Sequence, residues 1–387
     1  MYLEEPQCRK CLLYKNCQSP KMANRGRGET KLLIVGEAPG PVEDRGGKPF
    51  AGPSGQVLKM ALQVLGVDLE FTLMTNAVIC HPHGTPSDSQ IRYCQPNVTK
   101  TIIKFKPHVV LCCGMGAVKS VLGVQWERDF GKMSRWQGLA IPFRVRYSEE
   151  MEMMEFWVVS TYNPAYVLRQ NDQAIQRVFL NDVALAISKL NEPIPPLPKI
   201  DIHFVTSSVK AADTLKFILE KSPECVAFDY ETNMLKPFSP KSKIVSVSMA
   251  YRDGDIVMGI AFPMFNRLQG LWKQFLTSSI KKICANMKFE YVWSKQMFGV
   301  EPKHLIFDSI LWGHFQENYR RSNSLKFHVF TKYGIVYAKR ALELRLQSPH
   351  PLEPNRIHEI PLLELLVYGA FDSVYEYLLW EAAHENY

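Results

Sequence analysis

The stretch that decides the fold of the C-terminal half is CVAFDYET, residues Cys225–Thr232, an apolar run that ends in two acids. Alternate residues of a β-strand point to the same face, so we expect Asp229 and Glu231 to project together from the end of a buried strand. Two carboxylates on one face repel each other unless a cation or a proton lies between them. Hard divalent ions bind such carboxylates, and a pair of ions can stabilise both oxygens of a phosphodiester displacement. A strand end with two solvated acids is the alternative.

Three further acidic stretches follow in the C-terminal half: Asn286–Glu290 (NMKFE), Phe307–Asp308 (FD) and Tyr368–Asp372 (YGAFD). On a helix, Tyr368 and Asp372 would lie one turn apart on the same face. The order and spacing of three of these stretches resemble those of the three motifs of the DEDD 3′–5′ proofreading exonucleases. The stretches are CVAFDYET, NMKFE and YGAFD. The resemblance is to the exonuclease domain of bacterial and phage family A DNA polymerases, and it runs from about residue 201 to the C-terminus.

This resemblance implies an RNase H-like mixed sheet and a two-metal hydrolytic site. The catalytic residues that it implies are Asp229, Glu231, Glu290, Tyr368 and Asp372. Asp229, Glu231 and Asp372 would hold Mg²⁺ or Mn²⁺, and Tyr368 would orient the attacking water.

One position departs from the exonuclease pattern, because the family has Asp where this chain has Glu290. Glutamate is one methylene longer, so we expect it to bind metal with shifted geometry or through water, with activity lowered rather than lost. We interpret Asp308 as structural support and not as a ligand.

The N-terminal half opens with the apolar run Lys31–Val35 (KLLIV), which Gly36–Gly40 (GEAPG) follows at once. This pattern is typical of a buried parallel strand that leads into a backbone loop close to a ligand. Further stretches follow in the order Val42–Gly52, Met74–Cys80, Val109–Gly114 and Ser160–Arg169. The set resembles the family 4 uracil-DNA glycosylases, the iron–sulfur kind, over roughly residues 1–190.

The glycosylase resemblance implies a pocket for a base that has been flipped out of the DNA stack. The implied pocket residues are Glu37, Ala38, Gly40, Glu43, Asp44, Phe50, Asn76 and Asn163. Phe50 would stack on the uracil, and Asn76 would bond its edge, since a side-chain amide offers both a donor and an acceptor. One of the three acids would position water or stabilise a sugar cation; the sequence does not say which.

Asn163 stands where the family has His, which donates a hydrogen bond to uracil O2 as charge builds on the leaving base. Asn can donate but carries no charge. Losing one such electrostatic donor costs on the order of 10²–10³ in rate, and Asn keeps part of the interaction. We therefore expect a slow glycosylase or a module that recognises uracil or DNA without efficient excision.

Four cysteines occupy the places of the family's cluster ligands: Cys8, Cys11, Cys80 and Cys94. Thiolates grouped in this way hold an iron–sulfur cluster or a tetrahedral zinc ion, and spacing alone does not separate the two. The resemblance favours a [4Fe–4S] cluster over zinc. Cys17 is a spare thiol close to the first pair. Disulfides are disfavoured because the chain shows no signal peptide.

Composition agrees with two domains that handle nucleic acid. The chain has 387 residues, 46% of them hydrophobic, and a net charge of +8, which is consistent with phosphate binding. No apolar run approaches the roughly 18 residues of a membrane span. We expect a cytoplasmic location in a bacterial cell, and a phage genome would be a natural source. Arg320 and Arg321, near Lys326, are candidates for gripping single-stranded DNA.

The predicted fold is α/β in both halves. A three-layer α/β/α glycosylase-like domain over residues 1–190 is followed by a proline-rich linker over 191–200 and an exonuclease domain over 201–387. Residues 243–251 and 255–262 read as a hairpin. Residues 151–157 read as a local edge element.

The family A polymerase region would begin where this chain stops, so we expect a separate DNA polymerase as partner and the 3′ ends of single-stranded DNA, including uracil-containing DNA, as substrate. A second interpretation remains open. In it, both sites are degraded and the chain is a DNA-binding scaffold of a polymerase, which the substitutions at Glu290 and Asn163 make credible.

Overall fold

The computed structural model describes residues 5–317 and 324–384 of the chain. The chain divides into two compact units, the first comprising Met1–Pro195 with Phe330–Ile335, the second Pro196–Val329 with Val336–Tyr387. Within the described residues, no helix combines the length and apolar character needed to cross a bilayer.

The N-terminal unit is built on one five-stranded sheet. Its strands are β1 (Leu32–Gly36), β2 (Leu73–Asn76), β3 (Val109–Cys113), β4 (Ala140–Val145) and β5 (Met154–Thr161), in the spatial order β2-β1-β3-β5-β4. All neighbours are parallel except β4 and β5. Its helices are α1 (Cys8–Cys11), α2 (Pro41–Gly46), α3 (Pro53–Val64), α4 (Asp88–Phe105), α5 (Met115–Leu122), α6 (Pro164–Gln170) and α7 (Gln173–Ser188).

Helices cover both faces of this sheet. Ile34 of β1 and Leu111 of β3 pack with Leu62 of α3 and Val183 of α7 in one hydrophobic core. Because successive strand residues point to opposite faces, the residues between them face the other side. There α5 contacts β1 and β3, and α4 packs against α5. The unit has the three layers that the sequence predicts.

The prediction of an edge element at residues 151–157 is wrong. Strand β5 begins at Met154 and lies between β3 and β4, so it is interior. Its residues Phe156–Thr161 are all buried, because parallel pairing with β3 places them in the middle of the sheet. The strand at that edge of the sheet is β4.

The C-terminal unit contains a six-stranded mixed sheet, which confirms the predicted α/β class. Its strands are β6 (Ile200–Phe204), β7 (Cys225–Thr232), β8 (Ile244–Asp253), β9 (Ile256–Pro263), β10 (Lys281–Cys284) and β11 (Leu305–Asp308), in the order β11-β10-β7-β8-β9-β6. The hairpin of β8 and β9 is antiparallel, as predicted. The remaining helices are α8 (Ser208–Lys221), α9 (Gln269–Thr277), α10 (Met287–Phe298), α11 (Ser309–Glu317), α12 (Leu325–Tyr333), α13 (Arg340–Leu346) and α14 (Leu362–His384).

Strand β7 divides its side chains between two layers. Phe228 and Tyr230 pack in a core with Trp272 of α9. Asp229 and Glu231 therefore point to the opposite face, which α14 covers as it crosses β7, β8 and β9. This alternation directs both acids towards the helix that carries the third motif.

Candidate functional sites

The acidic cluster of the C-terminal unit joins β7 to α14. One carboxylate oxygen from each of Asp229, Glu231 and Asp372 lies within 4.8 Å of the others. Glu231 and Asp372 are 8% and 7% exposed, so the cluster is largely withdrawn from water yet reachable. Tyr368 lies one turn before Asp372 on α14. The structure thus brings Asp229, Glu231, Tyr368 and Asp372 together, and the fifth residue that the resemblance assigns to catalysis, Glu290, forms a hydrogen bond with Asp229.

Burial and neighbouring negative charges raise the pKa values of acids in this cluster. Burial and then the nearby Asp372 raise the pKa of Asp229 to about 7. Burial raises the pKa of Glu231 well above its usual range, and the charges of Asp229 and Asp372 add to the effect. A bound cation would reverse both effects, because it favours the ionised carboxylates.

Glu290 lies beside the cluster, at the start of α10, but is not one of the three converging acids. Its side chain forms a hydrogen bond with Asp229. Its Oε2 is buried and accepts no hydrogen bond from the described residues. Burial and the charge of Asp229 raise the pKa of Glu290 well above its usual range. The longer side chain thus places its carboxyl group against a neighbouring acid, where a shared proton or a cation can join the two.

Asp308 stabilises the backbone next to the acidic cluster through hydrogen bonds. Its Oδ1 accepts from the backbone amide of Asn286 at 3.1 Å, and its Oδ2 from that of Met287 at 2.8 Å. Oδ1 also accepts from the amide of Ile310 at 2.9 Å, which caps α11. Asp308 therefore fixes the turn from which α10 and Glu290 begin. All of these bonds are to backbone amides, as a supporting residue requires.

Asp372 has two partners that the motifs did not indicate. The Lys326 ammonium of α12 donates to Asp372 Oδ2 at 2.6 Å, and the Tyr337 hydroxyl donates to Oδ1 at 2.6 Å. The spacing of residues along the sequence gives no signal for either contact. Arg320 and Arg321, the DNA-gripping candidates, lie outside the described residues.

Oxygen donors alone make up the acidic cluster, and hard divalent ions such as Mg²⁺ and Mn²⁺ prefer such donors. When ionised, these three carboxylates, two buried and one half-buried and all within 4.8 Å of each other, carry more negative charge than the ammonium of Lys326 offsets. The residues therefore fit a divalent cation, with Asp229, Glu231 and Asp372 as the residues that would hold it.

The N-terminal unit has a second site at the carboxyl edge of its sheet. Gly36 and Asn76 are register partners at the ends of the parallel strands β1 and β2. A Cβ on Gly36 would lie under 3.0 Å from both Asn76 Oδ1 and Phe50 Cζ. Phe50 itself has a positive φ of 55°, which is uncommon for a bulky residue and marks a constrained position. Glycine at position 36 therefore lets the Asn76 amide and the Phe50 ring approach the end of β1 closely.

Two of the three acids near this pocket are occupied by backbone amides. Glu43 accepts from Gly40 N at 3.1 Å and from Gly52 N at 2.7 Å, which closes the loop after β1. Asp44 accepts from Gln18 N at 3.0 Å and from Ser19 N at 2.9 Å.

Burial alone would raise the pKa of Asp44, but these two amides outweigh it and hold the pKa below its usual range. Both carboxylates therefore serve to hold the loop.

Glu37 is the acid that lies near Asn163. Its Oε2 and the Asn163 side-chain nitrogen both lie within 3.5 Å of the position that a Cβ on Gly114 would occupy. Asn163 caps α6, since its Oδ1 accepts from Ala165 N at 2.9 Å. The side-chain nitrogen of Asn163 is therefore the group left to donate. Ala38, next to Glu37, packs against Val78 and Cys94.

The four predicted cluster ligands line one small cavity: Cys8, Cys11, Cys80 and Cys94. Lys21 N donates to Cys80 Sγ at 3.2 Å, and Asn97 Nδ2 to Cys94 Sγ at 3.3 Å. Burial raises the pKa of the Cys80 thiol to about 12, so thiolates need a cation there.

The donor chemistry of this cavity fits either candidate cofactor, because grouped thiolates hold an iron–sulfur cluster or a tetrahedral zinc ion. Cys8, Cys11, Cys80 and Cys94 are the residues that would hold it.

Comparison with known proteins places each unit in a family. The pattern of the uracil DNA glycosylase superfamily matches residues 23–184, and that of a 3′–5′ exonuclease family matches residues 202–382. The chain belongs to the uracil-DNA glycosylase superfamily through its N-terminal half and carries a 3′–5′ exonuclease domain in its C-terminal half. Both resemblances inferred from the motifs are confirmed, and both domains are of hydrolase families.

The relatives include the type-4 uracil-DNA glycosylase of Pyrobaculum aerophilum, 34% identical over 46% of this chain and 87% of that protein. That of Archaeoglobus fulgidus is 29% identical over 42% of this chain and 78% of that protein. Similar solved structures include Brucella melitensis NrnC, with a TM-score of 0.36 and 19% identity over 48% of this chain and 81% of that one. Escherichia coli RNase D has a TM-score of 0.34 and 16% identity over 48% of this chain and 44% of that one.

Proposed function

We propose that the C-terminal unit removes nucleotides from the 3′ ends of single-stranded DNA by metal-dependent phosphodiester hydrolysis. The observation that carries this proposal is the convergence of Asp229, Glu231 and Asp372 on one point beside α14. The substrate is DNA rather than RNA, because the same chain carries a domain of a DNA glycosylase superfamily.

The side chains of the cluster have different proposed roles in hydrolysis. Asp229, Glu231 and Asp372 hold their oxygens towards one point, at which a bound divalent ion would polarise the phosphodiester and lower the pKa of water. Burial raises the pKa of Tyr368 well above its usual range, so its hydroxyl keeps its proton and orients water through a hydrogen bond. Glu290 holds Asp229 through a hydrogen bond between the two side chains.

Digestion of 5′-labelled single-stranded DNA, beside RNA of the same sequence, tests this proposal. With Mg²⁺ or Mn²⁺ we expect a ladder of shortened DNA. Asp229→Asn should slow it by on the order of 10²-fold or more, because several kcal/mol of metal-derived stabilisation are lost. The exposed Asp213 of α8 offers the matched control, since Asp213→Asn removes the same charge away from the cluster. Equal rates for Asp229→Asn and wild type, or preference for RNA, would contradict the proposal.

The N-terminal unit is proposed to bind uracil in DNA and to excise it slowly. Phe50 supplies a stacking surface, and Asn76 the edge contact. Of the three acids, Glu37 is assigned to the reacting sugar or its water, because Glu43 and Asp44 are engaged with backbone amides. Excision from a uracil-containing duplex under single-turnover conditions tests the assignment, and Glu37→Gln should abolish what activity there is.

A [4Fe–4S] cluster is the proposed cofactor of this unit, held by Cys8, Cys11, Cys80 and Cys94. An absorption spectrum of protein purified without oxygen distinguishes it from colourless zinc. Cys17 forms a hydrogen bond with Cys80 but does not line the cavity. Cys17→Ser should therefore keep the brown absorbance that Cys80→Ser loses. Loss in both variants would make Cys17 a ligand.

A separate DNA polymerase is the proposed partner, on the strength of the motif resemblance to polymerase exonuclease domains. Co-elution with a replicative polymerase and fewer misincorporations in its presence are the expected results. If DNA is bound but neither strand degradation nor uracil excision occurs, the chain is a DNA-binding scaffold instead. The substitutions at Asn163 and Glu290 are the observations that favour this second candidate.

A further inference from the structure

The most unusual feature of the acidic cluster is the lysine within it. Lys326 Nζ lies 2.6 Å from Asp372 Oδ2 and 4.8 Å from the centre of the Tyr368 ring. The Lys326 side chain is only 18% exposed. One cation thus lies at the meeting point of the carboxylate and the tyrosine to which hydrolysis is assigned.

Both oxygens of Asp372 are already engaged. Oδ2 accepts from the ammonium of Lys326, and Oδ1 from the hydroxyl of Tyr337. An approaching divalent ion would meet a ligand whose lone pairs are shared with two donors. It would also meet a positive charge at close range, and like charges within a few ångströms repel strongly at a poorly hydrated site.

We propose that Lys326 is a positioning residue that holds Asp372 in the metal-free protein and must release it when a divalent ion binds. The inference rests on the proposed nuclease function, because it requires the three acids to be metal ligands. The ammonium keeps the crowded carboxylates together while the site is empty of metal, and the ion replaces it. Lys326 and the metal therefore compete for Asp372.

A purely structural ion pair gives the opposite expectation. If Lys326 only orients Asp372, its removal loosens a ligand and weakens metal binding. If Lys326 competes with the metal, its removal leaves the acids free and strengthens binding. The sign of the change in metal affinity separates the two roles, which a loss of activity would not do.

The test is titration of the full chain with Mn²⁺, monitored by calorimetry and by the electron paramagnetic resonance signal of free Mn²⁺. Lys326→Met should bind Mn²⁺ on the order of 10-fold more tightly, which lies within the usual range of coupling between two interacting groups of a protein. Lys326→Gln, which keeps a polar side chain, should shift the affinity in the same direction. Lys332→Met is the matched control, since Lys332 is an exposed lysine of the same helix, and should leave the affinity unchanged.

Unchanged or weaker Mn²⁺ binding by both Lys326 variants overturns the inference. Failure of the proposed function looks different, because wild type and Lys326→Met would then bind no Mn²⁺ at the cluster. Asp229→Asn, made in wild type and in Lys326→Met, should remove the Mn²⁺ binding that occurs at the acidic cluster and so identify it. Thermal unfolding gives an independent measurement: without metal, Lys326→Met should melt below wild type, and Mn²⁺ should raise its melting temperature by more.

Discussion

At the scale of single residues, we expect Asn163 to limit the rate of uracil excision by the proposed glycosylase. Its side-chain oxygen is used to cap α6 through Ala165 N, so one uncharged nitrogen would remain to stabilise the departing base. We predict that Asn163→His raises the single-turnover rate of uracil excision by on the order of 10–10²-fold, because an imidazole can carry the positive charge that the oxyanion needs.

Asn163→Asp is the control for this prediction, since the carboxylate keeps the cap but removes the donor. Its rate should fall below that of wild type. An Asn163→His rate equal to or below that of wild type would show that another group limits excision.

Gly36 makes the second prediction at this scale. A Cβ at position 36 would clash with Asn76 and Phe50, so Gly36→Ala should displace the two side chains that are proposed to bind the base. We expect uracil-DNA binding, measured by fluorescence anisotropy against thymine-containing DNA, to lose its preference for uracil. Gly46→Ala is the matched control, because a Cβ there meets nothing within 4 Å. Retained preference in Gly36→Ala would place the base elsewhere.

At the scale of elements, the docking of α14 on the sheet holds Asp372 in place. The helix approaches β9 closely because position 259 is glycine: a Cβ there would lie 2.6 Å from Val374 Cγ2 and 2.6 Å from Ile202 Cδ1. We predict that Gly259→Ala lowers the free energy of unfolding by roughly 1–3 kcal/mol, the usual cost of overpacking.

Gly270→Ala in α9 is the matched change for denaturant unfolding, because a Cβ there meets nothing within 4 Å. It should raise the free energy of unfolding by up to about 1 kcal/mol through helix propensity. Equal effects of the two substitutions would show that α14 does not dock at this glycine.

The elements also show what the sequence could and could not predict. The alternation in β7 predicted that Asp229 and Glu231 share a face, because that depends only on neighbouring residues. The position of β5 was missed, because pairing with Val109–Cys113 decides it across a long separation in sequence. Lys326 of α12 and Asp372 of α14 are 46 residues apart in the sequence. Periodicity describes only neighbouring residues, so it could not predict this contact.

At the scale of the whole molecule, two sites of different chemistry lie in two units of one chain. The cysteine cavity offers soft sulfur donors, and the acidic cluster offers hard oxygens, so the two groups of side chains would prefer different metals. The four cysteines of the cavity lie in the first unit and the three acids in the second. We expect a chelator of divalent ions to remove the metal ion from the acidic cluster. The absorbance of the proposed iron–sulfur cluster should stay unchanged.

The stability of the chain in chelator should depend on pH through the acids. Asp229 has its pKa raised from 3.8 to about 7 in the folded state, so the folded state binds more protons than the unfolded state between these values. Stability therefore falls as pH rises from about 4 to about 7 and then levels off. We predict a lower melting temperature in EDTA at pH 7.5 than at pH 5, and a smaller fall in Asp229→Asn.

Mn²⁺ supplies the control for this last prediction. An ion that binds only the folded state stabilises it, by about 2.7 kcal/mol at 100 times its dissociation constant. It also lowers the pKa of Asp229, because a bound cation favours the ionised carboxylate and so opposes the effects of burial and of the nearby Asp372. With saturating Mn²⁺ the melting temperature should no longer fall between pH 5 and 7.5. A fall of the same size with and without Mn²⁺, and in Asp229→Asn, would place the pH-sensitive groups outside the acidic cluster.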